Sequence, residues 1–120
     1  MVVICFGTRP EVIKFSSVIK ELSERKIPFK TVFTGQHKEL FDDVSDLVPA
    51  PGYRLDLMKK NQTLNHIVAA IAQKLTPILN TLRPTVLLVQ GDTTTAMTSA
   101  LCAFNMNIPV GHVEAGLRTF

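Results

Sequence analysis

The sequence has 120 residues, 46% of them hydrophobic and 19% charged, with a formal net charge of +3. That size and balance fit one globular domain and exclude a disordered chain. No apolar run reaches the roughly 20 residues of a membrane-spanning helix, and the basic side chains are scattered rather than gathered on one face, which argues against nucleic acid as a partner.

The apolar start, Val2 to Phe6, lacks a basic lead and soon meets Arg9-Pro10-Glu11, so it reads as a first strand and not as a signal peptide. A helix is predicted next, with Val12, Phe15, Ile19 and Leu22 on one stripe, Pro10 at its start and Glu11 in its first turn favouring the dipole. Lys30 to Phe33 reads as a second strand, and Leu40, Phe41, Val44 and Leu47 as a short helix. Pro49-Ala50-Pro51-Gly52 is a turn, and Tyr53 to Leu57 is a short strand or an irregular segment.

The strongest helical pattern follows Asn61-Gln62-Thr63, where Asn or Thr can cap; its stripe runs from Leu64 through Ile67, Ile71, Leu75 and Leu79 to Leu82, with Pro77 expected to bend it. Val86 to Val89 is an uninterrupted apolar strand, the kind buried on both faces of a parallel sheet. Met97, Ala100, Leu101 and Phe104 are the expected core stripe of the next helix, and Ile108 to Val113 is a fifth strand. This alternation predicts an α/β, Rossmann-like, doubly wound parallel sheet over residues 1–120. The chain stops just past a strand, so the expectation is a domain truncated after its fifth strand, with one face of that strand under-packed.

In such sheets ligands bind outside the carboxyl ends of the strands. The unusual polar residues fall there: Gly7-Thr8-Arg9-Pro10-Glu11, Thr34-Gly35-Gln36-His37, Gln90-Gly91-Asp92-Thr93-Thr94-Thr95 and Glu114-Ala115-Gly116-Leu117-Arg118. Arg9 and Lys14 place two cations at the start of the first helix, beside its free amides, an arrangement suited to phosphate; a surface ion pair of Arg9 with Glu11 is the plainer alternative. Asp92 reads equally as an N-cap or as an acid/base group. Glu114 has no capping role to explain it, and with Asp92 it forms a pair fit for general acid and base.

His37 reads as a ligand contact or a turn hydrogen-bonder, His112 as a core histidine and His66 as surface; the three are too scattered for a metal site. Neither a dinucleotide-binding glycine motif nor a P-loop is present. The two cysteines, Cys5 and Cys102, read as buried small hydrophobes in a reducing, cytoplasmic compartment.

Phe6-Gly7-Thr8-Arg9-Pro10-Glu11-Val12-Ile13-Lys14, Thr34-Gly35-Gln36-His37, Gly91-Asp92-Thr93-Thr94-Thr95 and Gly111 to Thr119 occur in order. Together they resemble the N-terminal domain of bacterial-type, non-hydrolysing UDP-N-acetylglucosamine 2-epimerases, over essentially the whole chain. The resemblance implies the two-domain architecture of B-type glycosyltransferases, with the second nucleotide-binding domain absent here. It implies interconversion of UDP-GlcNAc and UDP-ManNAc without nicotinamide or metal, by elimination of UDP and its re-addition, for cell-surface polysaccharide biosynthesis. Asp92 and Glu114 match the catalytic carboxylates, and Arg9 and Lys14 the diphosphate-binding cations.

A further glutamate and a histidine of the family lie beyond Phe120, so the isolated chain is expected to be inactive. Gln36 and Gln62 match a regulatory UDP-GlcNAc site, whereas Asn61 and Glu39 depart from it. The intact enzyme is expected to be a homodimer. A hydrolysing epimerase that releases ManNAc and a non-catalytic fragment are the competing expectations.

Overall fold

The computed structural model describes residues 1–35, 48, 49, 51–57 and 62–114. Its elements are β1 (Val2–Phe6), α1 (Arg9–Glu24), β2 (Phe29–Phe33), β3 (Tyr53–Arg54), α2 (Leu64–Leu82), β4 (Val86–Gln90), α3 (Thr94–Asn105) and β5 (Val110–Val113). The short helix expected over Leu40 to Leu47 lies outside the described residues.

The five strands form one parallel sheet in the order β3-β2-β1-β4-β5. β1 is central, pairing Val2 to Phe6 with Phe29 to Phe33 on one side and Val2 to Ile4 with Val86 to Leu88 on the other. Because side chains alternate across a strand, an unbroken apolar run suits a strand covered on both faces. Val3 and Cys5 join one core with Ile71, Leu75 and Leu79 of α2 and Ala96 and Ala103 of α3. Ile4 and Phe6 join a second core with Val12, Phe15 and Ile19 of α1. Chain order reverses between β1 and β4, and α1 covers the face opposite α2 and α3, so the crevice beyond these two strands is the switch point of the sheet.

The α1 stripe packs as expected, with Val12, Phe15 and Ile19 buried and Leu22 at the margin. In α2, Thr63 is the cap: its side chain accepts from the His66 N–H at 3.1 Å. The helix continues through Pro77, which is solvent-exposed, so neither its ring nor its missing N–H disturbs the packed face.

The α3 expectation is overturned. Met97, Leu101 and Phe104 are 57%, 51% and 74% exposed, while Ala96, Ser99, Cys102 and Ala103 are buried. Small side chains at this spacing let α3 lie close to β4 and α2, and the large apolar residues then have only the outer side to occupy.

Cys5 and Cys102 are free and buried, and burial pushes the Cys5 thiol up to about 12, which keeps it protonated and unreactive. On β5, Val110 is exposed and Val113 only partly buried. No helix among the described residues is long and apolar enough to cross a membrane.

Candidate functional site

The crevice is built by the segments that leave the carboxyl ends of the strands. Gly7 follows β1 where the backbone passes between Thr34 and Thr95, and a side chain there would collide with both hydroxyls. Those hydroxyls hydrogen-bond each other at 2.6 Å, and Thr34 also donates to the Phe6 carbonyl. They lie at one side of a cleft of about 320 Å³ bordered by Thr8, Thr93 and Thr94 and by Leu64 and Ile67 of α2. The cleft is therefore hydroxyl-rich on one side and apolar on the other.

Glu11 is completely buried in the first turn of α1. Thr8-Arg9-Pro10-Glu11 has the spacing of a capping box, but the pattern is inverted locally. Instead of capping the helix, the Thr8 hydroxyl donates to Glu11 Oε1 at 2.9 Å, and the Gly7 N–H donates to the same oxygen at 3.2 Å. Burial raises the Glu11 carboxyl above its ordinary range, and these donors only partly oppose that shift. Its Oε2 is buried without a hydrogen bond of good geometry. Glu11 was expected to act on the helix dipole or to pair with Arg9 at the surface; the T-x-x-E spacing was the signal for its inward turn. It is not available to pair with Arg9, which stands exposed at the head of α1.

After β4 the chain turns at Gly91, whose φ of +70° favours glycine. The turn is tied to β5: the Gly91 N–H donates to the Val113 carbonyl at 3.1 Å, and the His112 ring nitrogen lies within hydrogen-bond reach of the Gly91 carbonyl. His112 is thus not a core histidine. As an edge-strand residue beside the turn it is exposed, and it braces the backbone next to Asp92. The cap of α3 is Thr93, whose side chain accepts from the Ala96 N–H at 3.1 Å. That removes the capping explanation for Asp92, which is exposed and makes no hydrogen bond or ion pair among the described residues.

Glu114 follows β5 with a φ of +59°, the left-handed region, which costs a non-glycine residue on the order of 1–3 kcal/mol. Lys14 reaches from α1 to within 3.4 Å of Glu114 Oε1, and the buried Gln90 amide donates to Oε2. Both Lys14 and Glu114 are about half exposed, and such ion pairs contribute about 0–1 kcal/mol. The pair is too weak to explain the backbone strain, so it is better understood as setting where the carboxylate sits.

Of the residues singled out from sequence, Arg9, Lys14, Asp92 and Glu114 all lie at the carboxyl ends of β1, β4 and β5, and Lys14 and Glu114 touch. Gln62 is partly buried and directly precedes Thr63, the cap of α2. Gln36, His37 and Arg118 lie outside the described residues. Among the described residues no group of three His, Cys, Asp or Glu side chains could hold a metal ion.

The chain is similar to known proteins in sequence and in fold. The sequence model of a family described as UDP-N-acetylglucosamine 2-epimerase matches residues 20–120. The chain is 47% identical over 117 residues to the UDP-N-acetylglucosamine 2-epimerase of Neisseria meningitidis serogroup A, covering 96% of this chain and 32% of that protein. It is 48% identical over 118 residues to that of Escherichia coli K12, covering 95% and 31%.

Among solved structures, it superposes with a TM-score of 0.93 and 45% identity on Neisseria meningitidis UDP-GlcNAc 2-epimerase bound to UDP-GlcNAc, covering 99% of this chain and 33% of that one. The Methanocaldococcus jannaschii UDP-GlcNAc 2-epimerase in complex with UDP-GlcNAc and UDP gives a TM-score of 0.88 at 34% identity, covering 99% and 33%. The chain spans about a third of the length of these relatives. It belongs to the UDP-N-acetylglucosamine 2-epimerase family.

Proposed function

Starting from that family membership, we propose that this chain supplies the carboxylate-bearing part of the active site of a non-hydrolysing UDP-N-acetylglucosamine 2-epimerase. The observation that carries the reading is the contact between Lys14 and Glu114 at the carboxyl end of the sheet, the end from which Asp92, relieved of capping, also leaves its strand. Cations at the head of α1 suit a diphosphate, because the free amides of a helix start and the positive end of its dipole act in the same direction. Arg9 and Lys14 are the residues we assign to that group.

In this reading one carboxylate removes the C2 proton of UDP-GlcNAc while the C1–O bond breaks and UDP leaves with the bonding pair, giving a 2-acetamidoglucal. The other carboxylate returns a proton to the opposite face of C2 as UDP adds back at C1, giving UDP-ManNAc. Asp92 and Glu114 fill these acid and base roles, and the cations stabilise the departing diphosphate. The rest of the nucleotide pocket belongs to a second domain, without which water enters the crevice and preorganisation is lost. The intact enzyme would be a cytoplasmic homodimer serving polysaccharide synthesis; the free, buried cysteines are compatible with a reducing compartment. Gln62, one residue before the cap of α2, and Gln36 are the residues we assign, from their sequence match, to a regulatory nucleotide-sugar site.

The test is NMR observation of UDP-GlcNAc incubated with the 120-residue chain, and with a chimera in which this chain replaces the matching third of the Neisseria meningitidis enzyme. The chain alone should give no product, and the chimera should give UDP-ManNAc. Free ManNAc as the final product would replace our reading with a hydrolysing epimerase, and a folded but inactive chimera would leave a non-catalytic role.

A further inference from the structure

Gln90 is the last residue of an otherwise apolar strand, 6% exposed, and its amide is directed at the carboxylate that follows the neighbouring strand. β4 and β5 pair in parallel with Gln90 opposite Val113, so the register itself sets Gln90 next to the residue that precedes Glu114. Glu114 leaves β5 in the left-handed region, with its side chain in contact with Gln90 of β4 and Lys14 of α1. There its two oxygens have different partners: Oε1 faces the half-exposed Lys14 ammonium, and Oε2 receives the buried amide. A flexible lysine on a four-carbon stem fixes a charge only loosely, whereas an amide packed in the sheet has one direction.

Resting on the reading of Glu114 as an acid/base group, we propose that Gln90 is a positioning residue that locks the Glu114 carboxylate in one orientation toward the crevice. Oε2 is thereby held by the protein, and Oε1 is the oxygen left to exchange a proton with substrate when Lys14 moves to the diphosphate. Gln90 touches no reacting atom itself. Its effect is on the fraction of time Glu114 is aligned, so it should appear in turnover and not in substrate affinity.

Two readouts test this. In the isolated chain, the side-chain amide protons of Gln90 should resonate apart from those of the other glutamines and move toward them in Glu114→Ala; a Gln90 resonance indifferent to Glu114 would overturn the proposal. In the chimera, Gln90→Leu should lower kcat by about 10²-fold with KM nearly constant. Gln90→Met, close in length and without a donor, should do the same if the leucine variant fails to fold. Gln90→His, which restores an N–H donor, should recover part of the loss. A chimera that is active and keeps its kcat with leucine sinks the positioning role while leaving the epimerase reading intact. A chimera inactive with Gln90 in place sinks the epimerase reading, and the amide resonance still decides the contact.

Discussion

The two helices that begin at the crevice, α1 and α3, dock on opposite faces of the same sheet by opposite means. α1 inserts large side chains, Phe15 and Ile19 among them, into the core around Ile4 and Phe6. α3 lays Ala96, Ser99 and Ala103 against the other face and leaves Met97, Leu101 and Phe104 outside. The lesson is that an apolar stripe identifies the buried face of a helix only when the gap to be filled is wide. Where a helix sits close to its sheet, the small residues mark the contact and the large ones mark its absence.

The comparison can be broken most forcefully at Phe15. Phe15→Ala should cost about 3–5 kcal/mol, because a full aromatic ring leaves a cavity between α1 and the sheet. Urea unfolding of the two chains measures it, and a loss no larger than that of a surface change would mean α1 does not depend on its large residues. On the other helix the damaging direction reverses. Ala103→Leu adds volume where none is free and should cost about 1–3 kcal/mol by the same measurement.

The first turns differ too, since α1 buries a carboxyl where α3 presents a hydroxyl cap. Glu11 has its carboxyl raised from 4.5 by burial, so the folded state holds the proton to a higher pH than the unfolded chain does. Its contribution is fully present below about pH 4.5 and is lost as pH rises through the raised folded value. Glu11→Gln should flatten that decline, whose slope for one group cannot exceed about 1.4 kcal/mol per pH unit. Unfolding curves from pH 4 to pH 8, compared between the two chains, decide it; identical slopes would place the carboxyl in water. The smallest effect belongs to the outer face of α3, where Leu101→Ala should change stability by no more than about 0.5 kcal/mol. A loss comparable to that at Phe15 would return Leu101 to the core.

The sheet and its helices were legible because each strand-helix alternation carries its own period, and the crevice residues were legible because they interrupt apolar strands at their carboxyl ends. Asp92 and Glu114 stood out as carboxylates after strands, and Arg9 and Lys14 as cations at a helix start. Gln90 and Glu11 fell in the same polar segments but carried no site role of their own, since each also reads as an ordinary residue in its own element. What makes them distinctive is a partner elsewhere: Glu114 lies across the sheet from Gln90, and Gly7 and Thr8 are folded back over Glu11.

The sequence by itself therefore determined the class of fold, the parallel sense of the sheet and the family, since periodicity and ordered motifs are properties of short segments. Only the tertiary structure decided the strand order, the face that α3 buries, the release of Asp92 from capping by Thr93 and the grip of Lys14 and Gln90 on Glu114. Each of these depends on how closely two distant segments approach, and that distance is set by the packing of the whole domain.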